Sequence, residues 1–578
     1  MEKQKLENIR HSLAHLLAAS ILSHWPEAKL GIGPTTDNGF YYDILFPENK
    51  NITEEDFKKI EKDIKKMIKD NLPFSGKEIS PDEARDLFKD QPFKLDLIEE
   101  LEKKGEKITT YKTGDIFNDL CRGGHVENTS KINPKAFKLT HIAGAYWRGD
   151  EKNQMLTRIY GLAFNTKKEL DEFLEKQEEA KKRDHRKIGK DMDLFSFSEM
   201  VGAGLPLWSP KGTILRNQLQ NKLLEISEKY GMQPVTIPHI AKRKLYETSG
   251  HADKFGDELI KVISHYDEFV MKPVNCPHHT QIYASQPRSY KDLPIRYMES
   301  TMQYRDEKPG EIGGLTRVRS ITVDDGHIFC RPDQIKQEAE NIGKIIEEFY
   351  SSIGLFGKHW VSLSVRDPKN LDGYIGEQSD WEKAESMLQE VSDELNLDAK
   401  RIEGEAAIYG PKLDYVFTDS LGREWQLATI QIDFAMPKRF GLEYVDEKGN
   451  KETPVMIHRA ILGSYERFLA ILIEHFAGAF PFWLSPVQVE ILPISEKQIE
   501  YAEKIKDKLK ENNIRVEIPE VNETLGKRIR NFEVNKAPYA LIVGDKEKEE
   551  KVVSIRDREK GDIGTKKIED FINELKNS

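Results

Sequence analysis

The chain has 578 residues, too many for one hydrophobic core, and its 38% hydrophobic and 32% charged content is that of a multidomain globular protein. Three cysteines exclude a disulfide framework, and no apolar run reaches the ~18–20 residues of a membrane span. The net charge of −11 argues against a general nucleic-acid coat, though not against a local nucleic-acid site, and the composition as a whole suits a cytoplasmic enzyme. The first predicted element is a helix, because Ile9, Leu13, Leu16, Leu17 and Leu22 recur at helical spacing until Trp25-Pro26 ends the run. A strand over 39–44, a helix over 53–71 and strand-turn segments around 108–117 and 137–147 make residues 1–165 an α+β unit. Residues 166–192 are almost all polar or charged and read as a solvated connecting helix.

The largest block, 193–484, mixes predicted helices at 214–230 and 333–353 with strands at 270–273, 413–418, 426–434 and 455–459. Short turns between the strands predict a mainly antiparallel sheet with flanking helices. No G-x-G-x-x-G or G-x-x-x-x-G-K-[ST] follows a strand, which excludes Rossmann and P-loop nucleotide sites. From 485 to 578 strands and helices alternate, as in a small α/β domain with a mixed sheet. Its charge is balanced, with a small basic patch at Lys527, Arg528 and Arg530.

Two groups of residues can carry chemistry. His11 and His15 stand four apart in the first helix, so both rings project from one face, and Cys121 and His125 repeat that spacing beside Gly123-Gly124. Such a set can hold zinc, or it can position water against an ester. In the central block Tyr304-Arg305-Asp306-Glu307 precedes a glycine-rich turn and then Thr316-Arg317-Val318-Arg319, a hairpin with arginines on both arms. Arginines hold phosphates through bidentate charge-assisted bonds, and a carboxylate such as Glu307 can accept from an adenine amino group. Gly463-Ser464-Tyr465-Glu466-Arg467 then opens an apolar helix with an arginine in its first turn.

The Arg-x-Glu hairpin, the Gly-x-x-x-Arg helix and an antiparallel sheet resemble motifs 2 and 3 of class II aminoacyl-tRNA synthetases. In chain order HSLAHLLA, DLCRGGH, KRDHRKIGKDMDLF, KPVNCPHH, LTRVRSITVDDGHIFC, IYGPKLD, WQLATIQIDF and MIHRAILGSYERF are similar to bacterial threonyl-tRNA synthetases, over essentially the whole chain. The resemblance implies an N-terminal editing domain (1–165), a linker helix (166–192), a class II catalytic domain (193–484) and an anticodon-binding domain (485–578). It implies one zinc held by Cys276, His327 and His458, with magnesium accompanying ATP. Arg305 would hold the α-phosphate and the amino-acid carboxylate, Glu307 would read adenine, and Arg467 would cover the adenine and γ-phosphate. Arg317 and Gln426 join the ATP site, while Asp325, Tyr409, Lys412, Thr429 and Gln431 fall on amino-acid positions. His251 matches the base of the transfer step. His11, His15, Lys94, Tyr111, Asp119, Cys121 and His125 match an editing pocket, and Asn522, Glu547 and Arg556 match anticodon contacts.

The implied partners are tRNA(Thr), ATP, L-threonine and a second copy of the chain, paired through about 223–249. A trans-editing hydrolase and a non-catalytic synthetase-like regulator are the alternatives; retention of Arg305, Glu307, Arg467 and all three zinc ligands argues against the hydrolase, and threonine-dependent pyrophosphate exchange separates all three. Departures from the family are Ile321 for an aromatic, Val323 for an amide, Val274 for a methionine, Leu427 for a cysteine, and glycine for proline in DLCRGGH. The resemblance begins at the editing unit, without the small ubiquitin-like domain that many relatives carry ahead of it.

Overall fold

The computed structural model describes residues 2–48, 52–521 and 523–577. The chain divides into two compact units, 1–178 and 179–578.

In the first unit the opening helix runs Glu2–His24 and buries Leu13, Leu16, Leu17 and Ile21 completely. It packs on the strand Gly39–Leu45, whose alternate residues Phe40, Tyr42 and Ile44 are likewise fully buried, as period-two geometry requires. That strand pairs with Met155–Ala163, which in turn pairs with Phe137–Tyr146, all antiparallel. A second sheet joins Phe74–Glu78, Thr109–Thr113 and Phe117–Leu120. The sequence gives little sign of its first strand, because Phe74-Ser75-Gly76-Lys77-Glu78 is mostly exposed and lacks an apolar alternation. Helices Pro81–Leu87 and Pro92–Lys103, each opening on a proline, also escape the periodicity reading.

The connecting-helix expectation is corrected in its second half. Residues 166–192 form two helices, Lys167–Lys182 and His185–Asp191, and in the second of them His185 and Gly189 are buried. The centre of the second unit is an eight-stranded sheet in the order Gln233–Pro234, Ile295–Tyr304, Ser320–Cys330, Val455–Ala460, Glu424–Asp433, Lys412–Thr418, His359–Val365 and Lys400–Glu403. Only the two outermost pairings are parallel. Helices Pro210–Lys229, Ile335–Ser352 and Tyr465–Phe476 share one large core with this sheet, against Ile328, Ile430, Ile432 and Ile457. The opposite face is therefore left for polar side chains.

The last residues form a five-stranded mixed sheet ordered Val516–Glu517, Val489–Pro493, Tyr539–Val543, Val553–Asp557 and Gly561–Lys566. The first three strands run parallel and the last two antiparallel. Arg528 does not belong to a surface patch: it is 1% exposed and donates to the carbonyls of Glu523, Pro493 and Ile494.

Candidate functional site

Strand register assembles the central site. Residues directly opposite each other in adjacent strands project to the same face of a sheet. His327 lies opposite His458, His458 opposite Gln431, Gln431 opposite Lys412, and Thr429 opposite Asp414. Asp325, two residues before His327, shares the face. Cys276 reaches it from the first turn of the helix Cys276–Ala284. The ligand atoms of Cys276, His327 and His458 all lie within 4.8 Å of one another, and all three residues are buried. Sequence spacing could not group them, since they come from a helix and two strands far apart in the chain.

Hydrogen bonds fix the rings. His458 Nε2 meets Asp433 Oδ2 at 2.9 Å, and His327 Nδ1 meets His279 Nδ1 at 2.7 Å. Each ring thus has one nitrogen engaged by a buried partner, as metal-binding imidazoles usually do, and His327 Nε2 lies 3.5 Å from Asp325 Oδ1. One thiol and two oriented imidazoles, with no fourth protein donor in the group, fit a zinc with one open coordination position. Around it, Asn275 Nδ2 donates to Asp325 Oδ2 at 3.1 Å, and the Tyr409 ring lies 4.8 Å from His458 and 5.7 Å from His251. Gln431 Nε2 donates to Gly410 O at 3.0 Å, Thr429 Oγ1 donates to Asp414 at 2.8 Å, and Lys412 Nζ pairs with Asp414 at 2.7 Å.

His251 has a defined tautomer. Ser249 Oγ donates to Tyr246 O, so it accepts from His251 Nδ1–H at 2.9 Å and leaves Nε2 unprotonated. Burial pushes this imidazole down to about 3, so it is neutral at physiological pH.

The arginine hairpin is built from Ile295–Tyr304 and Ser320–Cys330 and closes where Arg305 N donates to Arg319 O. Arg317 donates to Glu307 Oε2 at 2.8 Å and also pairs with Glu311, which leaves Glu307 Oε1 available. The Arg305 guanidinium lies 4.9 Å from the Phe255 ring centroid, and its Nε is buried without a partner. Desolvation lowers the pKa of both Arg305 and Arg467, as burial of cations must. Arg467 Nε donates to Thr316 O at 3.1 Å, and its own N–H is capped by Ser464 Oγ. Glu466, buried, accepts from Thr322 N and Oγ1 and so ties this helix to the hairpin.

The departures fall in different places. Val323, on the site face, forms a bridge with Ser464, and Ile321 precedes it on the same face. Leu427 belongs to the helical core, and Val274 packs between two small apolar clusters. Gln426 is exposed beside a bulge.

In the first unit His11, His15, Cys121 and His125 converge, with ligand atoms within 4.8 Å. Ser12 Oγ donates to Asn8 O and accepts from Val126 N, so at 3.3 Å it accepts from His125 Nδ1–H. His125 Nε2 is then bare and faces Cys121 Sγ at 3.2 Å. Burial raises the Cys121 thiol to about 11 and lowers His125 to about 2, so both are neutral. Asp119, also buried, accepts from Tyr42 OH and pairs with Lys94 Nζ, both at 2.5 Å. Tyr111 packs 5.0 Å from His125, and its hydroxyl fills the space a side chain at Gly123 would need. Gly123 and Gly124 have φ of +97° and +84°, values closed to proline. A cavity of about 630 Å³ opens beside His11, His15, Lys94, Asp119 and Cys121, large enough for a small ligand.

Tyr42, Asp433 and His279 were not singled out by sequence reasoning. Tyr42 carries one usable signal, a phenol at an inward position of an alternating strand, which must find a partner when buried. The anticodon positions are less assembled. Glu547 accepts from Gly544 N at the start of Asp545–Glu550, Arg556 pairs with Glu533 at 3.5 Å, and Asn522 lies outside the described residues. No helix among the described residues is long and apolar enough to cross a membrane.

Comparison with known proteins accounts for all three regions. Residues 108–160 match the threonyl and alanyl tRNA synthetase second additional domain, 260–476 the class II tRNA synthetase core domain (G, H, P, S and T), and 488–578 the anticodon binding domain. The chain is 49% identical to the threonine–tRNA ligase of Cytophaga hutchinsonii over 97% of its length and 87% of that protein's. It is 48% identical to that of Gloeobacter violaceus, over 99% and 92% respectively. A crystal structure of the RNA binding domain of threonyl-tRNA synthetase from Cryptosporidium parvum superposes with a TM-score of 0.65 at 34% identity, covering 68% of this chain and 98% of that one. The chain belongs to the threonine–tRNA ligase family, class II aminoacyl-tRNA synthetases with an editing domain.

Proposed function

We propose that this chain activates L-threonine with ATP, transfers it to tRNA(Thr), and hydrolyses seryl-tRNA formed in error. The observation that carries the reading is the register of the central sheet, which puts His327, His458, Asp325 and Gln431 on one face, with Cys276 meeting the two histidines from a neighbouring helix. The arginine hairpin is continuous with two of the same strands.

Activation is attack of the threonine carboxylate on the α-phosphorus of ATP, with pyrophosphate leaving. The protein contributes no covalent step; orientation and charge neutralisation carry the rate. Arg305 meets the α-phosphate and the carboxylate with a guanidinium already desolvated, so it interacts more strongly than one in water. Glu307 reads the adenine amino group through the oxygen that Arg317 leaves free. Arg467 covers the nucleotide, and magnesium accompanies its phosphates. In the transfer step the unprotonated Nε2 of His251 takes the proton of the attacking ribose hydroxyl.

Cys276, His327 and His458 would hold zinc, which would supply a Lewis-acid site able to recognise the threonine amino and hydroxyl groups. Asp325, Tyr409, Lys412, Thr429 and Gln431 line the place where the side chain and ammonium would lie. A valine there leaves polar partners unsatisfied and is rejected strongly, whereas serine lacks only a methyl, worth roughly 1–3 kcal/mol. Serine therefore needs a second site. The pocket at His11, His15, Cys121 and His125 supplies it: neutral imidazoles position water against the ester, and Cys121, a thiol rather than a thiolate, acts as a weak donor.

Glu547 and Arg556, with Asn522, contact the anticodon, where unpaired base edges can be read without an overall positive charge. The chain forms a homodimer through 223–249, where Gln233–Pro234 forms the edge of the central sheet. Sedimentation at micromolar concentration gives twice the chain mass; the single-chain mass would refute the dimer. The reaction itself is tested by threonine-dependent exchange of labelled pyrophosphate into ATP, with purified protein and zinc. Exchange that requires threonine supports the assignment, and its absence overturns it.

A further inference from the structure

We propose that His185 is a positioning residue for the nucleotide hairpin, docking its Gly313–Thr316 turn onto the Tyr465–Phe476 helix. The inference rests on the reading of that hairpin as the ATP site. His185 opens the helix His185–Asp191 and is 5% exposed, although it lies in a segment whose composition is that of a solvated connector. Both ring nitrogens are committed. Leu315 N lies 3.1 Å from Nε2, and a backbone N–H can only donate, so Nε2 is the acceptor. The proton of the neutral ring is then on Nδ1, which donates to Glu474 Oε1 at 2.6 Å. The backbone N–H of His185 donates to the same oxygen at 3.1 Å. Glu474 is held in turn by Arg423 at 2.5 Å.

The turn is moulded on the ring. Gly314 has φ +57°, and a Cβ there would stand 2.4 Å from His185 Nε2, so no larger residue fits without displacing the imidazole. The same helix grips the next residue independently, through Arg467 Nε to Thr316 O at 3.1 Å. Arg467 and Glu474 are seven residues apart, about two helical turns. Arg467 holds Thr316 O through Nε alone, which leaves its two Nη groups for the nucleotide, and the His185 contact likewise uses no group that ATP needs. Both grips can therefore persist with ATP bound, and His185 is the one that reaches the middle of the turn, at Leu315.

Two substitutions separate this role from mere packing. His185→Asn keeps a donor near Nδ1 for Glu474 and removes the acceptor for Leu315 N–H. His185→Gln carries its amide to the position of Nε2, where the oxygen can accept from Leu315. In threonine-dependent pyrophosphate exchange, His185→Asn is expected to raise the KM for ATP about tenfold, the cost of one buried N–H left unpaired. Its KM for threonine and its zinc content stay unchanged, and His185→Gln stays near the parent value. Hydrogen exchange of a peptide spanning 310–320 provides a readout without turnover: protection falls in His185→Asn and is retained in His185→Gln. An unchanged KM for ATP and unchanged protection in His185→Asn would overturn the proposal. So would equal losses for both substrates in both variants. If the parent chain shows no threonine-dependent exchange, the ATP reading fails, and the hydrogen-exchange comparison still decides whether the latch exists.

Discussion

The molecule carries two clusters of cysteine and histidine with the same kinds of donor and different surroundings. In the central triad each imidazole has one nitrogen engaged by a buried partner, Asp433 for His458 and His279 for His327, and the remaining donor atoms converge. In the N-terminal quartet the groups are spent on one another: Cys121 Sγ lies 3.2 Å from His125 Nε2 and 3.5 Å from His11 Nε2. The nearby carboxylate, Asp119, is consumed by Tyr42 and Lys94. The quartet also borders a cavity of about 630 Å³, and the Tyr409 ring lies 4.8 Å from that of His458 in the triad. The lesson is that neither donor count nor convergence separates the two clusters; the cavity beside the quartet is what makes it the one we propose as a hydrolytic pocket.

Cys276→Ser should break the comparison most sharply. If zinc binds there as proposed, one per chain, the change is expected to abolish it and lower threonine-dependent exchange by about 10³-fold or more, several kcal/mol of lost transition-state stabilisation. Cys121→Ser should leave the zinc in place; elemental analysis of both proteins checks this. Metal lost from Cys121→Ser and kept in Cys276→Ser would reverse the assignment. Next in size is Lys94→Met, which strands the Asp119 carboxylate in a buried site at a cost of about 3–5 kcal/mol. Hydrogen exchange should then report loosening confined to residues 1–178, with zinc retained. Asp433→Asn should sharpen the role of the orienting partner, weakening zinc by about 10–100-fold in a chelator competition.

Acid should act on the quartet more gently. Desolvation lowers His11, His15 and His125 below the usual histidine range. Between their folded pKa values and about 6.5 the unfolded chain binds more protons, so stability rises with pH there. The stabilisation is complete above about pH 6.5 and is lost progressively as pH falls below it. Protection of peptides from 1–178 should accordingly fall from pH 7 to pH 5 in the parent and change less in His11→Ala/His15→Ala. A flat profile in the parent would contradict the neutral-cluster description.

How much of this was legible in the sequence follows from the range of the interactions. The His11/His15 and Cys121/His125 pairs announce themselves because helical and loop spacing is local, and the arginine hairpin does so because its arms are consecutive. The central triad was invisible to spacing, since Cys276, His327 and His458 meet only through strand order, and it entered the reading through family resemblance alone. Residues 72–108 escaped because their strand is exposed and their helices are short. Lys167–Lys182 is the solvated helix the composition implies, and only the second helix, His185–Asp191, departs from it. Its composition is that of a solvated helix, and the buried contacts of His185 are set by partners more than a hundred residues away, beyond any local pattern.

The division of labour between the two clusters is the central claim, and one measurement bears on it directly: serine and threonine charging of tRNA(Thr), side by side, by the parent chain and by His11→Ala/His15→Ala. Because the proposed zinc site would distinguish serine by little more than a methyl, both proteins should activate serine. The account predicts that the double variant forms threonyl-tRNA at the parental rate and accumulates seryl-tRNA, while the parent accumulates little. Seryl-tRNA that stays at the parental level in the variant, or charging lost equally with both amino acids, would contradict it.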